Sequence, residues 1–208
     1  MHLFHFSNIK RNHHQGYLTW VLCLSLSLCV SLYSTQGQAK SSNDKRTPPI
    51  STETKLTALF LYQFSQFVTW PKPEEAELPA PTFNICIDEN VALHLVLRKI
   101  TAGESSNKKP ISIHQSEEIS NINQCQMIYF SNASEANLNL LYRLKYATEQ
   151  QLQILTVTND EEMLHKGTMI RLKKHGKRIR PQFNMRLINK TKIKISSKLM
   201  RISEEVDI

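Results

Sequence analysis

The hydrophobic and polar positions change rhythm several times along this chain, and each change marks an element. Tyr17 to Tyr33 runs about 17 residues without a charge. Residues 40–53 are polar, contain two prolines and show no period, so they are expected to form a disordered lead. From Thr54 to Thr69, Leu56, Leu59, Phe60, Gln63, Phe64, Phe67 and Val68 recur at steps of three and four, which predicts an amphipathic helix. Trp70-Pro71 ends it, because proline cannot continue a helix and restrains the residue before it. Residues 71–81 hold four prolines and three glutamates and read as a loop.

Short apolar runs then alternate with helical stretches. Phe83–Ile87, Pro110–Ile113, Cys125–Phe130 and Leu152–Val157 read as strands, and the nearly continuous apolar character of Cys125–Phe130 and Leu152–Val157 suits parallel strands covered on both faces. Val91–Ile100, Ser134–Tyr146 (with Ser134 as its cap) and the short turn Glu161–His165 read as helices. The end of the chain differs. Thr168–Leu172 and Lys177–Phe183 flank Lys173-Lys-His-Gly-Lys177, a hairpin with Gly176 in the turn. Ile179, Phe183 and Met185 alternate with Arg178, Arg180, Gln182 and Asn184. Pro181 interrupts the run and points to an edge position or a bulge. Ser196 is placed to cap a last helix, Ser197–Ile202. The rhythm predicts a single α/β layered domain with a C-terminal β-hairpin over residues 54–208.

Charge and small residues decide how the first segment is read. Lys10 and Arg11 precede the apolar run, and Gly37-Gln-Ala39 puts small residues at −3 and −1 of a cut before Lys40. This is the pattern of a secretory signal peptide over residues 1–39, cleaved between Ala39 and Lys40. A retained signal anchor is the competing reading, but 17 residues with interspersed serines are marginal for a bilayer core of about 30 Å. Leu22 and Leu28 precede Cys23 and Cys29 where a lipobox wants a small residue. Removing 39 of the 208 residues takes away two of the 26 basic side chains and no acidic one, which leaves 169 residues with a charge of +6. The expected mature chain is exported.

Export changes the meaning of the cysteines. Cys23 and Cys29 leave with the signal, so Cys86 and Cys125 remain as an even pair in an oxidising compartment. A disulfide between them is expected, closing a loop worth on the order of 4 kcal/mol in the chain-entropy picture. Two buried free thiols are the alternative.

Candidate chemistry is sparse. Five glycines, at 16, 37, 103, 167 and 176, cannot form a dinucleotide or nucleoside-triphosphate loop. His94, His114, His165 and His175 lack zinc-ligand spacing, and no glycine near Ser131 or Ser134 builds a nucleophile elbow. No catalytic residue, metal or cofactor is expected. Asp88-Glu89 follows a strand, where α/β sheets often hold a ligand; capping of the next helix is the plainer reading. Arg171, Lys173, Lys174, Lys177, Arg178 and Arg180 put six charges in ten residues. Export argues against nucleic acid, which leaves an acidic partner or the anionic surface of the inner membrane, against a merely solvated turn. Tyr62, Phe64, Phe67 and Trp70 pack in the core or offer an aromatic contact to a partner.

Four blocks together resemble the YfiR/HmsC family of exported bacterial proteins. They are Lys55-Leu-Thr-Ala-Leu-Phe-Leu-Tyr-Gln-Phe-Ser-Gln-Phe-Val-Thr-Trp-Pro71, Phe83–Ile87, Cys125–Ser131, and Gly167–Ile170 with Ile179-Arg-Pro-Gln-Phe-Asn184 and Ile195-Ser-Ser-Lys-Leu-Met-Arg201. The resemblance spans roughly residues 54–202, and its first and last blocks are the specific ones. It implies an α/β three-layer sandwich with a mostly parallel sheet, in the periplasm, often a homodimer. It also implies a repressor that binds the periplasmic domain of an inner-membrane diguanylate cyclase, limiting cyclic-di-GMP and biofilm. Asn184, Ser196, Ser197 and Lys198 stand out through the resemblance alone. Two departures are Pro181, where an aromatic or aliphatic residue is usual, and the lack of a second cysteine pair in the C-terminal half. A periplasmic small-molecule sensor or solute-binding module serving a histidine kinase or transporter is the alternative.

Overall fold

Every residue of β2 (Phe83–Ile87), β5 (Met127–Phe130) and β6 (Leu155–Thr158) is buried. A strand buried on both faces needs a layer on each side, and the computed structural model supplies both. It describes residues 49–71, 81–115, 122–149 and 153–206. The signal segment, the cut at Ala39 and Lys40, most of the lead, most of the loop 71–81 and Leu152 lie outside the described residues.

The main sheet runs in the order β10 (Glu204–Val206), β8 (Arg178–Asn184), β7 (Ile170–His175), β6, β5, β2, β4 (Lys109–Gln115), β3 (Ser105–Ser106). Only the β7–β8 and β3–β4 pairs are antiparallel. A separate two-stranded ladder joins β1 (Val68–Thr69) to β9 (Lys194–Ile195). The architecture is thus the expected three-layer α/β sandwich with a mostly parallel sheet and a C-terminal hairpin.

Alternation along each strand sorts the side chains into two cores. Phe83, Ile85, Ile87, Met127, Tyr129, Leu155, Val157, Ile170, Leu172 and Phe183 face α1 (Thr52–Phe67) and α2 (Val91–Ile100), joined by Ile188 of α5 (Met185–Ile188) and Leu199 of α6 (Ser197–Met200). Cys86, Ile128 and Phe130 face the other way, against Leu141 and Leu144 of α3 (Glu135–Glu149) and Met163 of α4 (Glu161–Lys166). Cys86 and Cys125 form a disulfide in this second core, with Cα atoms 6.0 Å apart.

The first helix starts and faces differently from the periodic reading. It begins at Thr52, where the Ser51 hydroxyl accepts the Thr54 N–H at 3.0 Å, and ends at Phe67 as Val68 enters β1. Its fully buried side chains are Thr57, Ala58, Leu61, Phe64 and Ser65, while Leu59 is 43% exposed. Small residues win the inner face because neighbours come close: the Ser106 hydroxyl donates to the Ser65 carbonyl at 2.5 Å. Phe64 reaches the sheet through Phe183, with ring centroids 6.3 Å apart.

The hairpin also departs from expectation. The ladder continues through Lys173–Arg180 and Lys174–Ile179 to His175–Arg178, so the turn shrinks to Gly176, at φ +57°, and Lys177. Glycine meets that left-handed conformation without Cβ strain. The register is unbroken, so Pro181 makes no bulge. It takes the edge option instead: β10 pairs only from Gln182 onward, and Pro181 closes the stretch of β8 whose outer side has no strand among the described residues.

If the disulfide staples β2 to the segment before β5, Cys86→Ser should lower stability by about 2–4 kcal/mol. A denaturant titration without reductant would read this as a lower midpoint. Reductant should bring the unmutated protein to the same place, and two alkylatable thiols in protein never exposed to reductant would contradict the staple.

Candidate functional site

The chain leaves β2 through α2 on one face and returns at β4. It leaves β5 through α3 on the opposite face and returns at β6. Since β2 and β5 are neighbours, their carboxyl ends flank a topological switch point, the usual ligand crevice of an open α/β sheet. A groove of about 970 Å³ lies there, lined by Asp88, Asn90, Ser131, Asn132, Asn137 and Arg143 among others.

The polar groups of that crevice serve the fold. Asp88 is buried, and its Oδ2 accepts the Ser131 N–H at 2.5 Å and the Asn137 amide at 3.0 Å. Its Oδ1 accepts the Ser131 hydroxyl at 2.7 Å. That hydroxyl in turn accepts from the Asn90 amide at 3.0 Å. The carboxylate therefore ties the end of β2 to the turn after β5 and the first turn of α3. Capping of α2 falls to Asn90, whose Oδ1 accepts the Leu93 N–H at 3.0 Å, and not to Asp88.

The basic segment is sorted by strand alternation. Cross-strand partners share a face, so Arg171 and Gln182, Lys173 and Arg180, and His175 and Arg178 lie on the side of the sheet that carries α3 and α4. Lys174 lies on the other side and pairs with Glu53 at the start of α1, Nζ to Oε2 2.7 Å. Lys177 sits in the turn. The expected six-charge cluster is thus divided: Arg171, Lys173, Arg178 and Arg180 share one face, and Lys174 does not. Two carboxylates meet this face. Glu161 pairs with Arg171 at 3.2 Å, and Glu204 of β10 pairs with Arg180 at 3.5 Å. The Gln182 amide donates to Glu204 at 3.2 Å and, with help from Lys173 and Arg180, holds its carboxyl below the ordinary value.

Trp70 stands apart from the hairpin. Its indole N–H donates to the Gln126 carbonyl at 3.0 Å, and its ring meets Phe83 edge-on with centroids 4.8 Å apart. Gln126 and Phe83 lie at the amino ends of β5 and β2, whereas the hairpin turn lies beyond the carboxyl end of β7, a strand parallel to both through β6. Sixteen helical residues of α1, about 24 Å at 1.5 Å each, separate Glu53 and Lys174 from the Trp70 end. Tyr62 is engaged too: it donates to Glu104 at 2.9 Å, a bond that raises its pKa. Tyr129 is raised as well, chiefly by burial.

The residues singled out by resemblance have structural tasks. Asn184 caps α5, its Oδ1 accepting the Leu187 N–H at 3.1 Å. Ser196 caps α6 and donates its own N–H to the Phe67 carbonyl at 3.0 Å. Lys198 Nζ stands 5.4 Å from the centroid of the Phe67 ring. Among the described residues, no group of three metal-ligating side chains forms and no helix is long and apolar enough to cross a membrane.

The model of the YfiR/HmsC-like family matches residues 54–204, nearly three quarters of the chain. The chain belongs to the YfiR/HmsC-like family. No curated protein matches it. The matched span runs from α1 to the first residue of β10, so both the Asp88 latch and the basic hairpin lie inside the YfiR/HmsC-like fold.

The two sites make separate expectations. Asp88→Ala would strand the Ser131 N–H and leave the Asn137 amide to Asn132 alone. It should cost about 3 kcal/mol, read as a lower denaturant midpoint with an unchanged slope. Glu204 is depressed relative to 4.5, so the stability it adds is present above that pH and fades as pH falls through its lower folded value. Amide exchange at β10 should therefore quicken in acid, and Glu204→Gln should abolish that dependence.

Proposed function

We propose that this chain is a periplasmic regulatory protein that binds the periplasmic part of an inner-membrane diguanylate cyclase and holds the cyclase inactive. The observation that carries the reading is the family match over residues 54–204, which takes in almost every element of the fold. Two features support it. A disulfide suits an oxidising compartment. The carboxylate best placed for chemistry, Asp88, spends both oxygens on the fold, which favours binding over catalysis.

The mechanism follows from linkage. A protein that binds the inactive arrangement of the cyclase more tightly than the active one shifts the population by its differential affinity and no more. An effector relieves repression only if it binds the free and complexed regulator unequally. The groove at the switch point favours a second reading, a periplasmic sensor or solute-binding module feeding a kinase or transporter. A neighbouring gene for a membrane cyclase supports the first reading, and one for a kinase or transporter the second.

Deleting the gene should raise cyclic-di-GMP and biofilm only while the partner cyclase is expressed. Mass spectrometry of nucleotide extracts from the single and double deletions would check this. An unchanged cyclic-di-GMP level with the cyclase present would reject the repressor and favour the sensor.

A further inference from the structure

On the second face of the sheet the outer part of the hairpin is open, whereas its inner part is covered: Arg171 pairs with Glu161 of α4, and Gln182 and Asn184 are buried. Among the described residues, no residue of β7, β8 or β10 belongs to the apolar core beneath α3 and α4, although Ile170, Leu172 and Phe183 all belong to the core on the α1 side. Alternation fills this face with Arg171, Lys173, His175, Arg178 and Arg180, beside Gln182, Glu204 and Val206. His175, Arg178 and Arg180 are exposed, and Lys173 is half-exposed.

Two features of this face go beyond a solvated turn. Lys173 and Arg180 are direct cross-strand partners, an arrangement that costs stability when both carry the same charge. Among the described residues Glu204 offsets it, through a 3.5 Å contact to Arg180 and its attraction to Lys173. Arg171, the innermost cation of the row, is already paired with Glu161, so the unrelieved charge lies further out, at Lys173, Arg178 and Arg180. Among the described residues of this face no aromatic or aliphatic side chain is fully exposed, Val206 being half-buried, so it offers no anchor of the kind on which a tight protein–protein contact centres. Ile179, the apolar residue of the outer hairpin, points to the opposite side.

We infer that the open face of this outer hairpin docks on the anionic headgroups of a phospholipid bilayer, with Lys173, Arg178 and Arg180 as its principal contacts. Several exposed cations on one sheet face, without a pocket or an apolar centre, match a surface of many equivalent phosphates better than one shaped partner. The inference rests on the regulatory reading only in its biological setting. A regulator of a membrane enzyme gains from being held at the membrane, because confinement raises its effective concentration near the target.

The test is sedimentation of protein, purified from the envelope of its own host, with vesicles of phosphatidylglycerol and phosphatidylcholine, against vesicles of phosphatidylcholine alone. Binding is expected only with the anionic lipid and should fall steeply with salt. Lys173→Glu, Arg178→Glu and Arg180→Glu together should weaken it about 10²-fold. A matched triple reversal at the exposed Lys55, Lys99 and Lys190 should have a small effect. Thermal melts must show that both variants are folded; if the first is not, Lys173→Gln with Arg178→Gln replaces it.

Absence of binding to anionic vesicles, or equal losses in both triple variants, would overturn the inference. So would loss of cyclic-di-GMP control in the first variant without any vesicle binding by the unmutated protein, which would place an acidic protein on this face. Vesicle binding that persists while deletion leaves cyclic-di-GMP unchanged would reject the repressor reading and leave the membrane contact standing.

Discussion

The constraint on which the rest of this structure depends is that its three central strands bury every residue. Phe83–Ile87, Met127–Phe130 and Leu155–Thr158 expose no side chain to solvent on either face, so helices must close both sides before these strands are stable. The chain meets this with α1 and α2 on one face and α3 and α4 on the other. Strand burial tracks that coverage. Where both layers are present even the polar residues Asn84, Thr156 and Thr158 are buried. In the outer parts of β7 and β8 burial lapses, and the open positions are free to carry charge.

The same logic explains why the specific blocks of the family resemblance lie at the two ends of the sequence. The first block ends as α1 passes into β1, and the last supplies β9 and the cap of α6. They meet through the Val68–Ile195 and Thr69–Lys194 pairs, the Ser196 N–H on the Phe67 carbonyl, and Lys198 over the Phe67 ring. Residues that look chemically pointed in the sequence, such as Ser196 and Lys198, are there to close a junction between distant parts of the chain. Trp70 does comparable work one step further on, fixing the chain end of that junction to the start of β2 and β5.

What could be read from sequence follows the length and continuity of each signal. The central strands were legible because a run of buried residues needs no partner to be recognised. The helix over Thr52–Phe67 was legible as an element, but its inner face was not. Large apolar residues suggested Leu56, Leu59 and Phe60, whereas the buried face runs through Thr57, Ala58, Leu61, Phe64 and Ser65, with β3 closing on Ser65. Two-residue strands such as β1, β3 and β9 have no period to detect. The turn between β3 and β4 uses positive φ at both Asn107 and Lys108, and only the asparagine hints at it. In the hairpin, clustered charge looked like loop, while the true sign of strand was the spacing of Ile170, Leu172, Ile179 and Phe183. Asp88 was legible as a position and misread as a task. Its partners Ser131 and Asn137 lie 43 and 49 residues away, beyond the reach of local pattern.

The division of the basic segment carries the physical argument furthest. A random scatter of lysine and arginine over a hairpin would place them on both faces. Here the face turned toward α1 keeps Ile170, Leu172, Ile179 and Phe183, with one lysine that closes onto Glu53, and the other face takes the cations that remain. Packing forces the first half of that sorting, since charge beneath α1 would be buried at great cost. Nothing in packing forces the second half. The open face would be as stable, or more so, with opposite charges facing each other across the ladder; the diagonal contact of Arg180 with Glu204, whose register partner is Gln182, shows the attraction available. The hairpin instead sets Lys173 against Arg180 and leaves part of the repulsion unrelieved. Glu204 recovers part of that cost from within the chain, and an anionic surface outside it would recover more, which is the physical ground for proposing the open face, rather than the occupied crevice at Asp88, as the docking side.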